Sequence, residues 1–163
     1  MLEFDIASPG TPRWIQRFQN FDRALLLLRT AIELLDERGD TLDSDLRAVV
    51  REGAIQRFEY CFELAWKTLK DYLQWRKVTL PKQGGGDVLK AAFATGYITD
   101  GEIWLEALDA RNEMSHVYQQ ESFERVLKDV RTRYLARIED LHEMLMIERM
   151  VWLEGQKGSA DPA

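Results

Sequence analysis

Residues 14–35 read WIQRFQNFDRALLLLRTAIELL, and apolar side chains recur in this stretch at steps of three and four residues. This period is typical of a helix with one apolar side, because an α-helix turns once in about 3.6 residues. The members of the apolar stripe are Trp14, Phe18, Phe21, Leu25, Leu28, Ile32 and Leu35. Thr11-Pro12 reads as a helix start with a capping side chain, and Gly39-Asp40 is expected to end the helix.

A second and longer stripe with the same period indicates another helix. Its apolar members are Leu46, Val50, Phe58, Phe62, Trp66, Leu69 and Leu73. Asp43 or Ser44 can cap this helix, because either side chain accepts a hydrogen bond from the free N–H groups at a helix start. The period ends near Arg76, so at about 1.5 Å per residue the helix would be roughly 50 Å long.

The clearest break in the chain lies at residues 81–86 and contains Gly84-Gly85-Gly86. A phosphate loop is not predicted, because the Lys-Ser/Thr pair that such loops require is missing and Asp87 follows the glycines. We interpret the glycines as a flexible connector. Asp87 is then predicted to cap a short helix that ends near Gly96.

Two further helices are predicted in the second half of the chain. Thr99-Asp100-Gly101-Glu102 has the spacing of a capping box and opens a fourth helix that leads into Arg111. Ser122 is predicted to cap a fifth helix. The apolar residues of this fifth helix are Val126, Val130, Tyr134, Ile138, Leu141, Leu145 and Val151.

These stripes predict an all-α fold, an antiparallel bundle of four to five helices, because a bundle is the natural way to bury several amphipathic faces. The helical domain is predicted to cover residues 11–154. Residues 1–10 and 155–163 lack apolar periodicity, and we expect a flexible N-terminal tail and a disordered C-terminal tail.

The charge and the apolar content restrict the classes of partner. The formal net charge is −6, so the overall field does not favour nucleic acid, and RNA binding would need a local basic patch or a second subunit. The single cysteine, Cys61, is predicted to be a buried thiol in a reducing compartment. The longest aliphatic run, residues 25–28, is too short to cross a bilayer, so we expect a cytoplasmic protein without a membrane partner.

The best candidate for chemistry is the polar segment of residues 111–118, with Arg111, Asn112, Ser115, His116 and Tyr118. Histidine can transfer a proton near neutral pH, and arginine can hold a phosphate through two parallel hydrogen bonds. Asparagine and serine can orient either group. These side chains suit metal-free cleavage of RNA, in which the ribose 2′-hydroxyl attacks the neighbouring phosphate.

The spacing of these residues leaves two interpretations open. On a regular helix Arg111 and His116 would lie about 140° apart, so the long arginine stem or a partner chain would have to bring them together. Asn112 and His116 would share a helix face. Alternatively, Arg111, Asn112 and His116 only end a helix and pair with their neighbours, which spacing alone favours.

The other histidine, His142, lies beside Glu139 and Glu143 and is interpreted as a surface residue without a role. The chain has no His-x-x-x-His pair and no Cys-x-x-Cys pair. We therefore expect neither a metal site nor a cofactor.

Several stretches resemble the nucleotidyltransferase-associated branch of the HEPN superfamily. They are residues 14–21 (WIQRFQNF), residues 56–70 (QRFEYCFELAWKTLK), Gly96-Tyr97-Ile98 with Trp104, and Ala110-Arg111-Asn112 before His116-x-Tyr118. The resemblance covers roughly residues 12–150. It departs from the family at Gly84-Gly85-Gly86, which affects a loop and no motif residue.

The resemblance implies a helical bundle that pairs as a homodimer. It implies that Arg111 and His116 form the Arg-x-x-x-x-His centre of a ribonuclease, with two copies at the dimer cleft. RNA is then the expected substrate, and DNA is not expected. Such proteins act as toxins beside a minimal nucleotidyltransferase antitoxin, which can attach AMP to the residue at Tyr118. The alternative is a non-catalytic, substrate-binding subunit of a two-component nucleotidyltransferase.

Two charged groups outside the motif each have two interpretations. Glu59 and Lys67 can line the cleft, although a structural role is favoured because Glu63 and Lys67 are an ordinary i, i+4 ion pair. The fifth helix is locally basic, and its charges are either solvated or follow an RNA backbone. These basic residues are Arg125, Lys128, Arg131, Arg133 and Arg137.

Overall fold

The computed structural model describes residues 9–116 and 119–159. Within these ranges the chain forms helices and no strands, so the all-α prediction is confirmed. The helices are α1 (Arg13–Arg38), α2 (Ser44–Trp75), α3 (Gly85–Ala94), α4 (Gly101–Met114), α5 (Gln120–Asp129) and α6 (Leu135–Ser159). A 3-10 turn, Gly39–Thr41, follows α1, and a π-helical turn, Val130–Tyr134, joins α5 to α6.

The two longest apolar stripes pack against each other as an antiparallel pair, α1 and α2. The ring of Trp14, near the start of α1, meets the edge of Tyr72, near the end of α2, at 5.2 Å between centroids. Midway along the pair, Arg57 of α2 donates a hydrogen bond to the carbonyl of Leu27 in α1. All seven predicted apolar residues of α1 are buried, so the stripe read from the sequence is the core face of this helix.

Helix α2 also provides the surface on which the second half of the chain packs. Phe62 contacts Trp104 of α4 at 5.8 Å between ring centroids, and Phe58 stacks on Tyr134 at 5.9 Å. Tyr134 lies in the π-helical turn, where the N–H of Leu135 donates to the carbonyl of Val130. The predicted fifth helix is therefore present as α5 and α6, with this wider turn between them.

The predicted capping residues are correct at one helix and wrong at four, including Asp87 at α3. Asp43 caps α2, since its Oδ1 accepts a hydrogen bond of 2.9 Å from the N–H of Leu46. Pro12 rather than Thr11 occupies the cap position of α1. Asp100 precedes α4 in a left-handed conformation without a side-chain cap, so no capping box forms. Ser122 lies inside α5, which begins two residues earlier.

Two of the three consecutive glycines, Gly85 and Gly86, form the first turn of α3 rather than a flexible connector. A Cβ atom on Gly85 would lie 3.3 Å from Cδ1 of Leu108 and 3.4 Å from Cε2 of Trp66. The missing side chain therefore lets the start of α3 approach α4 and α2 closely. Asp87 lies in this first turn and does not occupy the cap position, which belongs to Gly84.

His142 is a core residue, so its interpretation as a surface histidine is wrong. Its ring is buried, stacks on Phe18 at 5.1 Å and meets Phe21 at 5.7 Å. Its Nε2 lies 2.6 Å from Oδ1 of Asp22, which satisfies the buried polar atom. The acidic neighbours in the sequence suggested exposure, but packing turns this side of α6 toward the aromatic residues of α1.

Cys61 is buried as predicted, and burial raises the pKa of its thiol to about 12. Helix α6 continues to Ser159, so residues 155–159 are helical although the sequence placed them in a disordered tail. Among the residues that the structure describes, no helix is long and apolar enough to cross a membrane.

The cap of α2 can be tested because Asp43 and Ser44 were equal candidates in the sequence. We expect Asp43→Ala to lower the free energy of unfolding by about 1 kcal/mol, because the N–H of Leu46 loses its acceptor. Ser44→Ala is the control and should change stability by less than about 0.5 kcal/mol. Urea denaturation followed by circular dichroism measures both, and equal losses would contradict the assignment of the cap.

Candidate functional site

Arg111 lies on the inward side of α4. Trp104, Ala107, Arg111 and Met114 follow one another at steps of three, four and three residues, which places them on one helix face. The three apolar members are buried, and the side chain of Arg111 is 28% exposed. The helix period therefore directs the arginine toward α2, with only part of its side chain in solvent.

Glu63 of α2 is the charged partner of Arg111. Its Oε2 lies 3.2 Å from Nη2 of Arg111 and accepts a hydrogen bond of 3.2 Å from the indole N–H of Trp66. Its Oε1 lies 2.6 Å from Nζ of Lys67. One carboxylate thus holds two cations and an indole, which fixes the arginine between α2 and α4.

The pKa of Glu63 is lower than its ordinary value. Partial burial alone would raise this pKa. The hydrogen bonds from Lys67 and Trp66, with the positive charges of Arg111 and Lys67, outweigh that effect. Glu63 is therefore ionised at neutral pH and keeps its attraction for the arginine.

The guanidinium of Arg111 retains hydrogen-bonding capacity. Its Nη1 donates to Oδ1 of Asn112 at 3.3 Å. Its Nε is buried and has no acceptor among the described residues. Since Glu63 and Asn112 each occupy only one N–H group of the two Nη atoms, the remaining Nη donors, and not the buried Nε, can bind an anion.

His116 lies just beyond the end of α4. The helix ends at Met114, and the backbone N–H of His116 donates to the carbonyl of Glu113 at 3.0 Å, which is a tighter turn than an α-helix makes. The imidazole is exposed and makes no hydrogen bond or ion pair with the described part of the chain. The angle of about 140° expected for a regular helix does not apply here, because the helix stops between Arg111 and His116.

The turn that carries His116 is attached to both neighbouring helices. The hydroxyl of Ser115 lies 3.2 Å from Oε2 of Glu59 in α2 and 3.1 Å from the carbonyl oxygen of Arg111, so it donates to one of them at a time. Glu113 forms an ion pair of 2.8 Å with Arg125 of α5. The last predicted member of the segment, Tyr118, lies outside the described residues.

The family model described as "nucleotidyltransferase substrate binding protein like" matches residues 16–147, most of the chain. The chain belongs to this family. The resemblance to the nucleotidyltransferase-associated branch of the HEPN superfamily is thereby confirmed.

Two matches from Haemophilus influenzae, one to a relative's sequence and one to a solved structure, show how far the similarity extends. The chain is 33% identical over 99 residues to "Probable ribonuclease HepT", which takes in 58% of this chain and 68% of that relative. The solved structure of HI0074, described as the fold of a substrate-binding domain of a nucleotidyltransferase, has a TM-score of 0.72 and 29% identity. It covers 79% of this chain and 98% of its own.

In this HEPN-branch protein the fold brings Arg111, Asn112 and Ser115 together with three charged residues of α2. Glu59 and Lys67 were candidates in the sequence, whereas Glu63 was assigned only to an ion pair with Lys67. That pair is present, but the contact of Glu63 with Arg111 was missed. The sequence signal for this contact was the four-residue spacing of Glu59, Glu63 and Lys67. This spacing shows that the three residues share one helix face, but it does not show which helix packs against that face.

The arginines of the predicted basic fifth helix form ion pairs in the structure. Each joins α5, the π-helical turn or α6 to α1, to α4 or to the residue before α4, which leaves these arginines poorly suited to follow an RNA backbone. The pairs are Arg125 with Glu113, Arg131 with Asp36, Arg133 with Glu106, and Arg137 with Asp100. Lys128 is exposed and pairs with no carboxylate in the described ranges.

The role of Glu63 in holding this site predicts a pH-dependent stability. A carboxyl whose pKa is lowered by folding stabilises the fold above its ordinary pKa, and this contribution is lost as the pH falls through the lowered value. We therefore expect Glu63→Gln to reduce the free energy of unfolding at neutral pH and to have a smaller effect at about pH 3.

Urea denaturation at the two pH values measures this difference. The control is Glu52→Gln, since Glu52 is exposed and makes no ion pair with the described residues. Its effect should stay below about 0.5 kcal/mol at both pH values. An effect of Glu63→Gln that is the same at both pH values would show that the charge of Glu63 is not what holds Arg111.

Proposed function

We propose that this protein is a HEPN-type toxin ribonuclease that cleaves RNA without a metal ion, with Arg111 and His116 as its catalytic residues. The observation that carries the proposal is how these two side chains are held and exposed. Arg111 is held by Glu63 and Asn112, which use only part of its N–H groups, and His116 is exposed one short turn beyond the same helix. The similarity to a relative named as a probable ribonuclease supports this function.

The proposed reaction needs a base, an acid and a group that stabilises the phosphate. The imidazole of His116 takes the proton from a ribose 2′-hydroxyl, whose oxygen then forms a bond to the adjacent phosphorus. The bond from phosphorus to the 5′-oxygen breaks, and that oxygen takes up a proton. The products are a 2′,3′-cyclic phosphate and a 5′-hydroxyl. Arg111 stabilises the negative charge that develops on the phosphoryl oxygens.

Asn112 and Ser115 act as positioning residues in this proposal. Asn112 accepts a hydrogen bond from Arg111, and Ser115 connects the turn of His116 to Glu59. A homodimer is part of the proposal, because a second copy would supply the imidazolium that protonates the 5′-oxygen. This divides the roles of base and acid between two histidines, one from each protomer.

Metal-free RNA cleavage is the measurement that tests this function. We expect the purified protein to cleave RNA in EDTA, and Arg111→Ala and His116→Ala each to slow cleavage at least about 100-fold, because general acid–base catalysis and phosphate stabilisation contribute that much or more. Intact-mass measurement beforehand establishes that Tyr118 carries no modification.

Arg23→Ala is a matched control for the loss of an arginine, since Arg23 is exposed and far from α4 in the sequence. It should cleave at the rate of the parent protein. Absence of cleavage by unmodified parent protein, or cleavage that survives both motif substitutions, would contradict the proposed nuclease.

A second candidate function is a non-catalytic subunit that binds substrate for a two-component nucleotidyltransferase. The description of HI0074 as a substrate-binding domain of a nucleotidyltransferase favours it, as does the family description. An unmodified protein that binds a nucleotidyltransferase and cleaves no RNA would support this candidate over the first.

Regulation by the partner is proposed to act at Tyr118. An AMP group there would place a bulky anion two residues from His116, where it would compete with an RNA phosphate for Arg111. Co-expression with the cognate minimal nucleotidyltransferase and ATP should therefore raise the intact mass by one adenylyl group and abolish cleavage. Tyr118→Phe is the control and should keep its mass; modification of this variant would place the site elsewhere.

A further inference from the structure

A basic cavity of about 460 Å³ opens beside the candidate site. It lies between the start of α1 and the second half of α2, and Gln83, just before α3, forms part of its wall. Its cationic lining consists of Arg13, Arg17, Lys67 and Lys70. The volume is in the range of sites that bind small ligands, about 300–1,000 Å³.

The carboxylates around this cavity do not balance its positive charges. Asp71 is nearly buried and is shared by Arg13 at 3.4 Å and Arg17 at 2.8 Å. Lys70 makes no ion pair with the described residues. Two arginines thus share one carboxylate beside a lysine without a counter-charge, in a chain whose formal net charge is −6. The cavity is therefore a local site for an anion.

Lys67 connects this cavity to the candidate site. Its side chain lines the cavity, and its ammonium group is 2.6 Å from Glu63, which also holds Arg111. Glu63, Lys67, Lys70 and Gln74 follow one another at three- and four-residue steps and lie on one face of α2. Seven residues separate Glu63 from Lys70, which is about 10 Å along the helix.

The remaining lining fits a nucleotide better than a bare anion. Trp66 is partly exposed and contributes an aromatic wall, on which a base can stack. Gln74 and Gln83 contribute side-chain amides that can form hydrogen bonds with the edges of a base. A double helix keeps its bases inside the stack, so these groups favour a single strand.

We propose that this basic cavity binds the backbone and a base of single-stranded RNA next to the linkage that is cleaved at Arg111. The inference rests on the proposed ribonuclease function and adds a binding site for the substrate. In this arrangement Lys70 and Arg13 contact phosphates, and Lys67 leads the strand past Glu63 to the arginine. The cavity, and not the basic fifth helix considered in the sequence analysis, is then the surface that binds the RNA backbone.

Binding of a 2′-O-methyl RNA oligonucleotide tests the cavity separately from catalysis, because such a strand has no free 2′-hydroxyl and is not cleaved. Fluorescence anisotropy with a labelled single strand measures the Kd. We expect Lys70→Glu to weaken binding at least about fivefold. Lys70→Gln should reduce the slope of log Kd against log salt concentration by about 0.7, the contribution of one phosphate contact on a single strand.

Lys128→Glu is the matched control, because it makes the same change in net charge on the exposed side of α5. It should bind within about twofold of the parent. Circular dichroism and urea denaturation establish that the lysine variants fold. Parent-like binding by Lys70→Glu, or an equal loss in Lys128→Glu, would overturn the assignment of the cavity.

Two competitors separate RNA from other ligands of the same charge. Inorganic tripolyphosphate should displace the labelled strand only weakly, whereas unlabelled single-stranded oligonucleotide should displace it fully. Equal displacement by tripolyphosphate would reduce the cavity to an anion site and overturn the RNA proposal. If cleavage needs Arg111 but is unchanged in Lys70→Glu, the proposed nuclease stands and the proposed RNA site in the cavity is wrong. If RNA binding depends on Lys70 but no RNA is cleaved, the RNA site stands and the proposed nuclease is wrong.

Discussion

The structure depends on the apolar contact between α1 and α2. Burial of the aromatic and aliphatic stripe on each helix removes a large apolar area from water, which is the main favourable contribution to folding. This pair fixes the position of α2, and every other helix packs on it or on its neighbours. Because one side of α2 packs into this core, its charged residues Glu59, Glu63, Lys67 and Lys70 lie together along another side of the helix.

This charged face of α2 determines how Arg111 is held and which of its donors stay free. The helix period places Arg111 on the inward face of α4, and a partly buried cation needs a partner of opposite charge. Glu63 supplies it, and Lys67 and Trp66 keep that carboxylate ionised. Glu63 and Asn112 together use only part of the hydrogen-bonding capacity of the guanidinium. In the proposed function, a substrate phosphate binds the remaining Nη donors while Glu63 stays in contact with the arginine.

In the proposed function, the charged face of α2 connects the catalytic residues to the cavity that binds the substrate. Glu59 supports the turn that carries His116, Glu63 holds the arginine, and Lys67 and Lys70 continue toward the cavity at the start of α1. In contrast, the arginines of α5, the π-helical turn and α6 are used to join helices. The cavity thus gathers four cationic side chains in a protein whose net charge is negative, which favours a specific site over general attraction to nucleic acid.

Most of the helices and core faces, and the family, could be predicted from the sequence, because apolar periodicity and the hydrogen bonds of a helix depend on near neighbours in the chain. Leu46 and Val151, which the periodicity also assigned to the core faces, are exposed. The sequence suggested the segment from Arg111 to Tyr118 as a candidate site but did not show where α4 ends, since Gly101 to His116 has no strong stop signal. The sequence could not predict that Glu63 contacts Arg111, that His142 packs on Phe18, or that Lys70 lines a cavity with Arg13. These contacts join side chains of different helices, and their geometry is set by how the whole core packs.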